Sequence, residues 1–297
     1  MKTIYLDHAA TTAVREDVLS KMLPYFSLEY GNASSLYSIG RKSKKALEEA
    51  RGRVARAINA KSPKEIYFTS CGSESDNLAL KGIAYQNKEK KKHIITSKIE
   101  HPAILETCKT LEQNGFNVTY LNVDKDGFIS LNELENAIRE DTILISIMFA
   151  NNEIGTIEPI EKIGEIAKKH KVLFHTDCVQ AVGNEIIDVQ KMNIDLLSMS
   201  AHKFYGPKGV GALYVREGIE FRRQQDGGHQ EKNKRAGTEN IAGIVGLGKA
   251  IELATKDLEE NNNKIKKLRD YYISEVERRI PNIKLNGSKD KRLARKC

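Results

Sequence analysis

Lys203 lies in "SMSAHKFYGPKG" (Ser198 to Gly209), between the apolar run "IDLLSMS" and a turn broken by glycine and proline. An ammonium at the end of a buried strand is costly unless something uses the amine. Ser200, Ala201 and His202 precede it directly. Polar residues follow other apolar runs in the same way. Asp177 closes "VLFHTD", and Gln180 follows closely. A carboxylate in that position must be paired or neutralised, and a protonated aromatic nitrogen is a suitable partner. His101 comes after "HIITSKIE", and Asn151 and Asn152 come after "TILISIMFA". After "EIYFTS" stands "CGSES", a small-residue turn with Gly72 and Ser73 that opens a helix. Such a turn turns backbone N–H groups and a helix dipole toward an anion. Each feature alone has an ordinary reading: a surface lysine, a structural histidine, a turn that binds nothing.

What makes them a set is the pattern of elements that carries them. "EIYFTS", "HIITSK", "NVTYLNV", "TILISIMFA", "VLFHTD", "IDLLSMS" and "GALYV" read as strands. "SESDNLALKGIAYQN", "PAILETCKTLEQNG" and "IEKIGEIAKKHK" read as helices between them, the last with Ile160, Ile163 and Ile166 along one face. Strands separated by helices of this length imply crossovers and a mainly parallel sheet with helices on both faces, an α/β architecture. Ligands of such sheets bind beyond the carboxyl ends of the strands. The candidate residues all fall there. "DKDGFISLNELE" (Asp124 to Glu135) has acids in the places of a calcium loop, but Ile129 stands where that loop requires glycine. It is expected to be a turn leading into the helix "LNELENAIRE".

Composition narrows the rest. The chain has 297 residues, 40% hydrophobic and 30% charged, and no run of apolar residues long enough to span a bilayer. The beginning, "MKTIYLDHAATT", has no apolar signal region, so the expected location is the cytoplasm. Cys71, Cys108, Cys178 and Cys297 form no CxxC pair and read as free thiols. The net charge of +8 is carried largely by late lysines and arginines without interleaved aromatics, so direct nucleic-acid binding is not expected.

A lysine amine, a buried aspartate, a histidine and a phosphate cradle at strand ends together specify pyridoxal phosphate. Lys203 would form the Schiff base and Asp177 would keep the ring nitrogen protonated. No metal ligand set is assigned.

At this point the chain resembles the NifS/IscS-type cysteine desulfurases, aminotransferase class V enzymes of the fold-type I PLP-dependent transferases. "YLDHAATT", "YGNASS", "FTSCGSESDN", "EHPAI", "NNEIGTIEPI", "HTDCVQAVG", "SMSAHKFYGPKGVGALYVR" and "DGGHQEKNKRAGTEN" carry the resemblance, in family order. It implies that Lys203 bears the cofactor, that His101 stacks on the ring and moves protons, and that Asp177 pairs with the ring nitrogen. It implies that Gln180 and Asn152 bond the phenolic-oxygen side. Gly72, Ser73, Ser200, Ala201 and His202 would line the phosphate site, with Thr238 reaching the phosphate of the other subunit of a homodimer. The implied reaction converts L-cysteine to L-alanine and passes sulfur on as a persulfide, to an iron–sulfur scaffold or another acceptor protein.

Two departures stand out. Cys71-Gly72-Ser73 replaces the family's usual Gly-Ala/Gly-Thr, and the hydroxyl is kept. No segment resembles the family's Ser-Ser-Gly-Ser-Ala-Cys loop or the later arginine that clamps the substrate carboxylate, so the chain is expected to be a C-terminally truncated member. The closing "ARKC" is what one inserted base could make of the family's usual continuation. The expected organisation is a large PLP-binding domain over residues 16–250 and an incomplete small α+β domain from 1–15 and 251–297. One helix is expected over "IELATKDLEENNNKIKKLRDYYISEVERRI", with Ile251, Leu258, Ile265, Leu268 and Tyr272 as an apolar stripe lacking cover. Selenocysteine lyase or another class V lyase, and a non-catalytic PLP- or partner-binding remnant, are the alternative readings.

Overall fold

A computed structural model describes residues 4–89 and 92–297. In chain order it contains α1 (Glu16–Met22), α2 (Pro24–Ser27), α3 (Ser38–Ala57), β1 (Ile66–Thr69), α4 (Gly72–Asn87), β2 (His93–Ser97) and α5 (Pro102–Gln113). There follow β3 (Asn117–Leu121), α6 (Leu131–Ala137), β4 (Thr142–Ser146), α7 (Ile160–His170), β5 (Leu173–Asp177), β6 (Leu196–Ser200) and β7 (Gly211–Val215). The chain continues through α8 (Gln230–Asn233), α9 (Ile241–Lys256) and α10 (Leu258–Arg279).

The strands form one sheet in the order β1-β7-β6-β5-β4-β2-β3. β2 through β6 pair in parallel, and β7 runs antiparallel to both of its neighbours. Two reversals restore direction, so β1 again points the same way as β6. The carboxyl ends of β1, β2, β4, β5 and β6 therefore share one edge of the sheet. The strands β2, β4 and β6 are buried at every position, as expected for strands covered on both faces. Alternate side chains feed two apolar clusters. Ile95, Ile145, Phe174 and Leu197 join α3, α7 and α9 in one cluster, whereas Ile94, Leu144 and Leu196 join α4 and α5 in the other.

Asp124 does close a turn: its carboxylate accepts the N–H groups of Asp126 (2.9 Å) and Phe128 (3.0 Å), and Ser130 caps α6. One expectation is corrected. The helix expected from Ile251 onward is two helices, because Asp257 leaves helical geometry (φ −125°, ψ 39°). Aspartate competes for backbone groups through its own side chain and is a weak helix-interior residue. The chain turns there, so Ile251 and Leu258 are buried while Leu268 and Tyr272 are exposed. Beyond α10 the chain returns to the β4–α7 loop. Ile157 donates to Lys291 O (3.0 Å), Leu293 to Gly155 O (2.9 Å), and Arg269 of α10 to Leu293 O (3.0 Å).

Candidate active site

A cleft of about 590 Å³ opens at the shared sheet edge. Gly72 and Ser73, His101, Asn152, Asp177, Gln180, Ser200, His202 and Lys203 all line it. Two expected site residues lie elsewhere. Ala201 is buried behind the cleft and gives its N–H to Val210 O (3.1 Å). Thr238 borders a separate hollow beside Tyr25, Phe26 and Tyr30.

The local sequence explains how each group is held. β6 is buried to its last residue, and the chain then makes a single 3₁₀ turn over Ala201–Lys203, which lifts Lys203 into the cleft. Its Nζ donates to Ala9 O (2.6 Å) and Ala10 O (2.8 Å). Burial lowers the lysine's pKa from its usual value, opposed by Asp177, Asp7 and Glu153. His202 Nδ1 lies 3.0 Å from Thr11 Oγ1, and its pKa is lowered by burial and by Lys203 and Lys208. The neutral imidazole is favoured there. The N-terminal segment thus roofs the lysine turn, a contact reinforced by Thr12 donating to His202 O (2.9 Å) and Gln180 to Ala9 O (3.2 Å).

Asp177 ends β5 with its Oδ1 accepting the N–H of Val179 (2.8 Å). Burial raises its pKa, against the pull of that N–H, His101 and Lys203. A protonated ring nitrogen would remove most of that penalty. His101 caps α5, and its Nδ1 accepts the N–H of Ala103 (3.1 Å). The proton of the neutral ring then sits on Nε2, where it can be given to a ligand. α4 begins at Gly72, capped by Cys71, whose sulfur accepts the N–H of Glu74 (3.4 Å). The first-turn N–H groups of a helix lack intrahelical partners and favour an anion. A Cβ on Gly72 would stand 2.6 Å from Val179 Cγ2, so only glycine lets the turn pack against the strand-end loop. Asn152 reaches Glu153 (2.8 Å), while Asn151 is tied into its own loop, accepting from Glu153 and Ile154 (2.9 Å each).

Asp76, Arg295 and Lys296 join the cleft without having been expected there, and Cys297, expected only as a free thiol, reaches it too. Asp76, in the first turns of α4, is buried beside Asp177 and His101, with ligand-type atoms of all three within 4.8 Å. Arg295, Lys296 and Cys297 line the mouth. Lys296 donates to Asn152 O, and the Arg295 guanidinium lies 5.3 Å from the Tyr205 ring centre. A helix-facing aspartate and a basic tail carry no sequence signal of their own; only the fold brings them to the cleft.

The cleft fits pyridoxal phosphate by donor chemistry. It offers an amine, an acid for a ring nitrogen, an imidazole, and a helix N-terminus beside Ser73, Ser200 and His202.

A profile of the family described as aminotransferase class-V matches residues 4–297. The chain is 60% identical over 289 residues to a cysteine desulfurase IscS of Clostridium botulinum, covering 97% of this chain and 72% of that relative. Among solved structures, a NifS-like protein superposes with a TM-score of 0.90 at 44% identity, over 92% of this chain and 75% of that one. SspA in complex with cysteine gives a TM-score of 0.82 at 48% identity, over 84% of this chain and 72% of the other.

Proposed function

The chain belongs to the class-V aminotransferase family, among its cysteine desulfurases, and from that premise we propose how its own residues serve the reaction. A cysteine desulfurase takes sulfur from L-cysteine: with a thiol R–SH as acceptor, the C–S bond breaks, an S–S bond forms, and alanine and R–S–SH result. No atom is left over and no outside oxidant is needed. The cofactor of this reading is pyridoxal phosphate. When bound, it supplies an aldehyde that captures amines and a ring that takes up electrons from the substrate's Cα.

Lys203 holds the cofactor covalently and, once released by substrate, moves the proton at the substrate Cα. Its lowered pKa favours the free amine that both tasks require. Asp177 holds the proton on the ring nitrogen. His101 covers the ring face and carries a proton on Nε2 for the substrate carbon that the sulfur leaves. Gln180 and Asn152 orient the phenolic-oxygen side. Gly72, Ser73, Ser200 and His202 bind the phosphate, with Ala201 buried beneath them. The observation that carries this reading is the convergence of Lys203, Asp177, His101 and the α4 N-terminus on one cleft from separate strand ends.

The same reading places the protein in the cytoplasm as a homodimer that hands sulfur to a scaffold or other acceptor protein. Thr238 supports the dimer. It lies outside its own cleft and next to exposed Phe26 and Tyr30, where a second subunit could present a phosphate. The division into a large domain over 16–250 and a small domain built from 1–15 and 251–297 belongs to this proposal.

The test is alanine formation from L-cysteine, with pyridoxal phosphate and an added thiol as sulfur acceptor. Wild type is expected to turn over, and Lys203→Ala to lose at least about a thousandfold while remaining folded. Equal rates in the two proteins would remove Lys203 from the chemistry.

A further inference from the structure

Asp177 does not stand alone beneath the cleft. Asp76 from α4 and Glu100, just before α5, are buried with it. Asp76 Oδ1 has no hydrogen-bond partner, and neither has Glu100 Oε2. Glu100 is held by Ser97 Oγ (2.7 Å) and the N–H of Met148 (2.9 Å), both on Oε1. Behind Asp76 runs a chain of polar side chains. Ser198 of β6 neighbours Asp76 and lies 3.0 Å from His175 Nε2; His175 Nδ1 lies 2.9 Å from Ser146 Oγ. His175 is also 3.8 Å from Asp76. That contact is not an ion pair, because burial pushes the imidazole pKa down to about 3 and the ring is neutral.

Among the described residues, the wall therefore holds three acids and no buried cation. The groups facing Asp76 are Asp177, His175 and Cys178 from β5 and its end, Glu100 and His101 from the β2–α5 turn, and Cys71 from the α4 cap. Of the three acids, Asp177 is the one toward which Lys203 and His101 exert a favourable field.

We propose that Asp76 stays a neutral carboxylic acid beneath the cleft, so that of the buried acids Asp177 alone carries the charge that meets the ring nitrogen. This rests on the cofactor reading above. Burial and the neighbouring Asp177 both raise the Asp76 pKa well above the usual carboxylate range, in keeping with this assignment.

The test begins on the cofactor-free protein. A carboxyl whose pKa is raised by folding contributes stability that is present at low pH and lost as pH climbs from its unfolded value toward its folded one. Removing it abolishes that loss. The unfolding midpoint of Asp76→Asn should therefore gain on wild type by about 2 °C per pH unit above pH 4, up to the folded pKa. Asp76→Ser should show the same slope, whatever its constant offset. With pyridoxal phosphate bound, Asp76→Asn should keep the wild-type absorbance and its pH midpoint, and retain desulfurase activity within about threefold. Asp177→Asn should lose both. A flat or opposite stability slope, or an Asp76→Asn spectrum that follows Asp177→Asn, would overturn the proposal. If wild type itself takes up no cofactor, the cofactor reading fails, and the stability slope still decides the charge of Asp76.

Discussion

Four thiols share this chain, and their surroundings separate them. Cys108 and Cys178 are fully buried; burial foremost pushes the Cys108 thiol up to about 12 and raises the Cys178 thiol well above its usual value. A thiolate is the nucleophile, so neither can attack a substrate sulfur at neutral pH. Cys71 and Cys297 border the cleft instead. Brief alkylation of the native protein, followed by peptide mass mapping, is expected to label Cys71 and Cys297 and spare Cys108 and Cys178. Labelling of the buried pair at equal rate would mean that the core opens freely. At this scale the sequence was legible wherever a polar residue ends an apolar run, as Lys203, Asp177 and His101 do. It was silent on Asp76, which sits inside a helix whose facing direction only packing determines. Cys297 was legible as a free thiol but not as a neighbour of the cleft, which it reaches through contacts between Leu293 and the β4–α7 loop.

The elements hold the site by close approach and by one buried ion pair. Gly211 of β7 lies where a Cβ would stand 2.6 Å from Met199 O and 2.7 Å from the Cys71 backbone, so β6, β7 and the α4 cap meet only because that side chain is missing. Arg51 of α3 binds Glu231 of α8 through two hydrogen bonds of 2.8 Å, and Glu231 also accepts the N–H of Phe68 in β1 (2.8 Å). Glu231, Lys232 and Asn233 all take positive φ, a costly conformation for residues with side chains. The buried pair over-determines that turn. Glu231→Gln leaves a buried guanidinium without its partner and is expected to cost about 3–5 kcal/mol in urea unfolding. A loss under about 1 kcal/mol would show that the turn is held by other contacts. The strands and the helices α4, α5 and α7 are readable from apolar runs and 3.6-residue spacing. The break at Asp257 is not, because both sides of it favour helix and the turn follows from where Leu258 is buried.

For the whole molecule, many of the exposed apolar side chains fall in two stretches of the chain. Leu23, Phe26, Leu28, Tyr30, Leu36 and Tyr37 all lie open between α1 and the start of α3, Phe26 and Tyr30 beside Thr238, and Leu268, Tyr271 and Tyr272 lie open along α10. Patches of this kind mark interaction surfaces or aggregation sites. Sedimentation of the purified chain is expected to give a dimer, with Phe26→Asp shifting it toward monomer; a monomeric wild type at micromolar concentration would contradict the dimer reading. The sequence indicated the parallel sheet and the edge where a ligand binds, but not this surface, whose residues come together only after α1–α3 wrap the body. The central claim is that Lys203 is the cofactor's anchor, and reductive trapping tests it most directly. The protein is mixed with pyridoxal phosphate, reduced with borohydride, digested and mapped by mass. The account expects one pyridoxyl group on Lys203, absent from Lys203→Ala. A label spread over surface lysines, or none on Lys203, would contradict it.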